Sequence, residues 1–180
     1  VQFEALGDYQ ELGLGMEGLR HGVVIRLTGT PEPVDVMAVH LKSGCFVEDF
    51  SASSSEACEI FEQQVPLLDQ WVESKIDQNQ KFVVLGDFNH RISNSNNTLW
   101  QRLTEMNDAP VVIKNSMANL PGCHPRYPEP IDHILFGNSM NSFYEDGSEH
   151  VHYFGGDSEG MTEDEMLSDH CAVSVEFGFD

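Results

Sequence analysis

The chain has 180 residues, of which 40% are hydrophobic and 9% aromatic. That is one domain's length with a core of its own, and the composition excludes collagen-like, coiled-coil and wholly disordered readings. Nine Lys and Arg face 30 Asp and Glu, a formal net charge of −21, which argues against a passive binder of nucleic acid or anionic membrane held by a basic surface.

Residues 1–20 are polar and Gly-rich and read as an irregular lead-in. No charged segment followed by an apolar stretch marks a signal peptide, and Val1 opens the sequence in place of Met, as in a chain processed or cut from something longer. Residues 22–27 (GVVIRL) and 34–41 (VDVMAVHL) are β-branched runs separated by a Gly/Pro turn cluster, which predicts a hairpin, with both faces of the second strand largely buried. Residues 53–76 have helical periodicity. Ser53 and Glu56 have capping-box spacing, and Cys58, Phe61, Val65, Leu68, Trp71, Val72 and Ile76 form a core stripe. Pro66 inside it should kink or split the helix. Residues 82–85 (FVVL) read as a strand buried on both faces. A short helix is predicted over 98–106, a Pro-rich loop region over 107–130, strands over 131–136 and 150–154, an acidic loop over 155–168, and a last strand over 171–177. No run approaches the ~18 apolar residues of a membrane span. Strands with one or two covering helices predict a single layered α+β or α/β domain over 1–180.

The cysteines are Cys45, Cys58, Cys123 and Cys171, with no C-x-x-C spacing to indicate a zinc ribbon or redox site. Cys45 and Cys58 flank a short segment and can pair, which would place the chain in an oxidising compartment, periplasmic or extracellular. Cys171, in an apolar run, reads as a buried free thiol.

Four short constellations carry chemistry. Gly86-Asp87-Phe88-Asn89 follows the FVVL strand, and a carboxylate and an amide two residues apart at a strand end are hard oxygen ligands suited to Mg²⁺, Mn²⁺ or Ca²⁺. Ser168-Asp169-His170 sets a ligand beside a proton carrier. Ile131-Asp132-His133 offers a carboxylate able to fix an imidazole tautomer. His40-Leu41-Lys42 ends the second strand. Lys42, Arg91 and Arg20 lie beside these motifs in a chain with few cations. Other candidates are weaker. His150 and His152 share a strand face but lack a third zinc ligand at convincing spacing. The acids between Asp157 and Glu165 lack the EF-hand pattern and read as a solvated loop.

In this order, each at a strand end, the segments VMAVHLKSGCF, KFVVLGDFNHRI, PIDHILF and LSDHCAVSVEF resemble the endonuclease/exonuclease/phosphatase superfamily that contains deoxyribonuclease I. The resemblance runs from about Arg20 to the end. It implies a deoxyribonuclease I-like β-sandwich flanked by helices, and a divalent-metal-dependent phosphoesterase, a phosphodiesterase or nuclease above all. It gives Asp87 and Asn89 contacts to the metal-bound phosphate and attacking water, and makes Asp169 a metal ligand beside them. His170 becomes the acid/base group, Asp132 its orienting partner, and His40 a phosphate contact. Mg²⁺, Mn²⁺ or Ca²⁺ is the implied cofactor, and a phosphate ester, nucleic acid among the candidates, the implied substrate. Members also carry an Asn and a metal-binding Glu on earlier strands. Nothing before Arg20 offers them, since Glu4, Glu11 and Glu17 do not sit on a strand-like run. The fold is therefore expected to be N-terminally incomplete, holding one sheet and part of the other, unless a second chain or subunit exchange completes it. The alternatives are a non-catalytic metal- or phosphate-binding fragment and a lipid or sugar phosphatase of the same fold.

Overall fold

A computed structural model describes residues 1–106, 109–154 and 162–179. A six-stranded mixed sheet is built from β1 (Gln2–Tyr9), β2 (Gly22–Thr28), β3 (Val34–His40), β4 (Lys81–Asp87), β7 (Ile113–Asn115) and β8 (Asp132–Gly137), in the order β1-β2-β3-β4-β8-β7. All neighbours are antiparallel except β3 and β4. That parallel pair is joined by the long helix α1 (Glu56–Asp77), because parallel strands need a crossover connection. A short helix α2 (Thr98–Leu103) follows β4, then two-residue strands β5 (Glu105–Met106) and β6 (Ala109–Pro110), which pair with each other. After β8, strands β9 (His150–His152) and β10 (Ala172–Ser174) form a second small sheet.

The main sheet has apolar side chains on both faces. On one face Val24, Met37, Val39, Phe82 and Val84 pack against Phe61, Val65, Leu68 and Val72 of α1. On the other Val34, Val83, Ile134 and Phe136 pack with Val151 and Cys171 of the second sheet region. Phe82 and Val84 alternate with Val83 between these two clusters, so the FVVL run is buried on both faces as its lack of polar alternation predicts. This helix–sheet–sheet layering is the deoxyribonuclease I-like α/β sandwich.

Several expectations are corrected. Residues 1–20 are not wholly an irregular lead-in: Gln2–Tyr9 is an edge strand paired with β2, with a register shift between Ala5 and Gly7. Its polar, mostly exposed residues hide the pattern because only one strand borders it. Glu4 therefore does sit on a strand, opposite Arg26. The helix is capped by Ser55, whose hydroxyl accepts from the Cys58 amide, and not by Ser53, whose hydroxyl accepts from the Ser55 amide. Pro66 does not split α1, which continues for 22 residues; burial of the Val65 and Leu68 face outweighs one missing backbone donor. The helix expected over 98–106 ends at Leu103, where the chain turns into β5. Cys171 is not a free thiol. It pairs with Cys123, and Cys45 pairs with Cys58, so no free cysteine remains among the described residues. Of the acidic loop, residues 155–161 lie outside the described residues, and Glu163–Glu165 forms a 3₁₀ turn boxed by Thr162.

One buried charge cluster ties α1 to the sheet. Asp35 on β3 has no exposed surface, and its carboxylate accepts from Arg26 Nε (2.6 Å) and Nη2 (3.0 Å) on β2 and from Lys75 Nζ (2.9 Å) on α1. Burial alone would raise its pKa, but the bonds from Arg26 and Lys75 outweigh that and hold it below the usual carboxylate value.

Candidate active site

The parallel pairing of β3 and β4 sets His40 beside Asp87, and the antiparallel pairing of β4 and β8 sets Asp87 beside Asp132. Three chemically active residues thus stand in one row across adjacent strands. The row lies at the carboxyl ends of the parallel pair, where the chain leaves the sheet and opens a crevice. Glu4 belongs to a different row, Glu4–Arg26–Asp35. Asp35 lies five positions before His40 on the same strand, a separation of about 17 Å.

Local backbone chemistry holds the row together. Gly86 has φ of +128°, and a Cβ there would lie 2.1 Å from the Val39 carbonyl oxygen, so only glycine lets β4 approach β3 at this point. Asn89 takes a left-handed φ of +52°, which asparagine tolerates. The turn closes on Asp87: its Oδ1 accepts from the Asn89 amide (2.7 Å) and its Oδ2 from Asn89 Nδ2 (2.9 Å). The same Nδ2 also donates to the Leu41 carbonyl (3.0 Å), tying the turn to the end of β3. Asn89 is buried, with its amide nitrogen spent on these contacts. These amide contacts aim Asp87.

His170 reaches the row from the loop before β10. Its Nδ1 donates to both oxygens of Asp132 (3.0 and 2.9 Å). Its Nε2 then lies 3.7 Å from Asp87 Oδ2, which is also 3.6 Å from His40 Nε2. Asp132 thus holds the ring of His170, 38 positions away, and not that of His133 next to it. Burial raises the pKa of Asp87, with the Asp132 charge adding to it and the Asn89 amide, His170 and His40 opposing. The Asp132 hydrogen bond lifts His170 to about 9 against the effect of its own burial, with the charges of Asp132, Asp87 and Asp169 contributing.

Asp87, Asp132 and His170 each offer a ligand atom within 4.8 Å of the others, the one such cluster among the described residues. Two carboxylates with an imidazole fit a hard divalent ion whose other positions are filled by water and substrate oxygens. This trio differs from the ligands read from sequence. Asp87 is common to both, Asn89 lines the neighbouring cavity, and Asp169 is exposed on the cavity rim beside His170. The loop bearing Asp169 and His170 is tied down by the Cys123–Cys171 disulfide.

Of the cations named above, Arg91 lines the cavity that opens on His170, held by Glu129 at 3.1 Å. Lys42 Nζ donates to the neighbouring Ser43 carbonyl, and Arg20 is exposed before β2. His150 and His152 are exposed on β9, with His152 Nε2 bonded to Ser174 Oγ. Two further histidines brace the site. His133 is fully buried, its Nε2 donating to the His90 carbonyl (3.0 Å) and its Nδ1 accepting from Asn115 Nδ2 (3.2 Å). His90 stacks on Phe61 of α1 at 4.0 Å between ring centres and accepts from Asn97 Nδ2 at Nδ1. Burial pushes both down to about 4, so both are neutral near pH 7 and act as hydrogen-bonded struts. In sequence they carried only the generic signal of a histidine next to a motif residue.

The model of the Endonuclease/Exonuclease/phosphatase family matches residues 9–170. No curated protein matches the chain by sequence. Among solved structures, a Neisseria 3′ phosphatase bound to a product DNA hairpin superposes with a TM-score of 0.68 at 17% identity, over 97% of this chain and 71% of that one. The 3′-5′ exonuclease from Neisseria meningitidis gives 0.63 at 18%, over 98% and 70%. The catalytic domain of APE2 from Xenopus laevis gives 0.55 at 16%, over 86% and 55%. At these identities the likeness establishes the fold they share.

Proposed function

The chain belongs to the endonuclease/exonuclease/phosphatase family, a family of metal-dependent hydrolytic nucleases and phosphatases, and from that premise we propose that it is a divalent-metal-dependent phosphodiesterase, with nucleic acid as the leading substrate class. One observation carries the reading: a partly buried, hydrogen-bonded Asp87 faces the Nε2 atoms of both His40 and His170, with Asp132 fixing the His170 ring.

Asp87 would anchor the ion, with Asp169 on the rim as a further carboxylate, leaving the Asp132–His170 pair beside it. When bound, the ion supplies Lewis-acid neutralisation of the phosphate charge. Asp87, aimed by Asn89, orients the attacking water and accepts its proton. His170, held by Asp132, directs Nε2–H at the phosphate oxygen on which charge develops. His40, half exposed beside Asp87, supplies a second donor to the phosphate. The product-DNA complex of the Neisseria 3′ phosphatase supports the nucleic-acid substrate. The two disulfides support an oxidising location, periplasmic or extracellular.

The test is turnover of bis-p-nitrophenyl phosphate and plasmid DNA with Mg²⁺ or Mn²⁺. Asp87→Ala and His170→Ala should each lower turnover at least about 100-fold with an unchanged circular dichroism spectrum. Folded wild-type protein that turns over neither substrate with any divalent ion overturns the proposal.

A further inference from the structure

Asp132 and His170 border a cavity of about 460 Å³, large enough for one ring-bearing group but not for a stretch of duplex. Asp132, His170 and Asn89 line it, together with Phe46 and Val47 from the loop after β3 and His124 and Tyr127 from the loop before β8. Phe46 is 64% exposed and Tyr127 58%. Aromatic side chains this exposed, gathered on the rim of one cavity, mark a surface that meets a ligand. The His124 and Tyr127 rings already pair at 5.1 Å.

The cavity's charges favour a neutral occupant. Glu48, Glu129 and Asp169 line it together with Asp132, against Arg91, which Glu129 engages, and His170, which Asp132 engages. A second phosphate would be repelled there, whereas a flat uncharged ring would bury against the aromatics. The walls are also held in place. Cys45, next to Phe46, is bonded to Cys58 at the start of α1; Cys123, next to His124, is bonded to Cys171, the neighbour of His170. The loop bearing Phe46 is thus tied to α1, and the loop bearing His124 to the neighbour of His170, before any ligand arrives, which reduces the ordering cost of binding.

We propose that this cavity is a subsite for an aromatic ring or base esterified to the reacting phosphate, and that Phe46 and Tyr127 are its specificity-determining residues. The inference rests on the phosphodiesterase reading and narrows it to substrates that present a single ring-bearing group, such as a strand terminus.

The test compares phenyl phosphate with methyl phosphate as competitive inhibitors of bis-p-nitrophenyl phosphate turnover. The two differ only in the ring. Wild type should bind phenyl phosphate roughly tenfold more tightly, the scale of one stacking contact. The Phe46→Ala/Tyr127→Ala double variant, which removes only exposed side chains, should lose that preference while its inhibition by methyl phosphate stays within about twofold. Equal inhibition by the two compounds in wild type, or an undiminished preference in the variant, overturns the subsite. If wild type turns over no diester, the phosphodiesterase reading fails by itself. The subsite is then judged by NMR in EDTA: phenyl phosphate, and not methyl phosphate, should shift the Tyr127 and His124 ring signals, and the absence of such shifts overturns it.

Discussion

Replacing Asp132 by Asn isolates what one carboxylate does to the proton on His170. The amide keeps an acceptor oxygen near Nδ1 but carries no charge. In the wild type the Asp132 hydrogen bond is the largest influence on His170, burial opposes it, and the Asp132 charge comes next, ahead of Asp87 and Asp169. Together they raise the ring from 6.5 to about 9, at most about 3.4 kcal/mol of preference for imidazolium. His170 is one-third exposed, so solvent screening reduces its contribution to folding to about 1–2 kcal/mol. Because the folded pKa is raised, that contribution is fully present below the unfolded value of 6.5 and is lost as pH rises through about 9. Asp132→Asn should therefore titrate more than one pH unit lower in a metal-free NMR titration of the ring. Urea unfolding should show the variant about 1–2 kcal/mol less stable at pH 6, with the gap closing by pH 10. The metal-free condition matters, since a nearby divalent ion would itself disfavour the imidazolium. Identical ring titrations in the two proteins would refute the pairing, however strongly the substitution affected turnover.

Asp35→Ala leaves Arg26 and Lys75 without their shared carboxylate and should cost about 3–5 kcal/mol; a midpoint in urea unchanged from wild type would show that the cluster does not bind α1 to the sheet. His133 must stay neutral in its buried socket, so its depressed pKa contributes stability that is complete above its unfolded value near 6.5. That stability is lost as pH falls through about 4, by up to about 3 kcal/mol, and His133→Gln should flatten the acid limb of a stability–pH profile measured by thermal melting. Cys171→Ser opens a link between residues 48 positions apart and should lower stability by about 4 kcal/mol. Thiol titration of unreduced, unfolded wild type should find no reactive cysteine, whereas four reactive thiols would remove both bridges.

The core of this fold is legible in the residues themselves. The FVVL run, the 22–27 and 34–41 hairpin and the α1 stripe identify their own environments, because burial on one face or two writes a period into the sequence. The motifs at the strand ends named Asp87, Asn89, Asp132, Asp169, His170 and His40 before any geometry was known. Which of these meet was decided by the sheet. His40, Asp87 and Asp132 share a row only because β3 runs parallel to β4 and β8 antiparallel to it, in that register. That His170 reaches Asp132 while Asp169 stays on the rim depends on the tertiary pairing of residues 38 positions apart and on the Cys123–Cys171 bridge beside them. The strand at 2–9, the Cys123–Cys171 bridge and the bracing by His90 and His133 were not legible for a related reason. An exposed edge strand has no buried face to set a period, and a half-cystine and a free thiol look alike in an apolar run. A neutral buried histidine is likewise distinguished from a catalytic one only by partners far away in the chain. The chain order determines periodicity and local turns; contacts between distant residues belong to the folded structure alone.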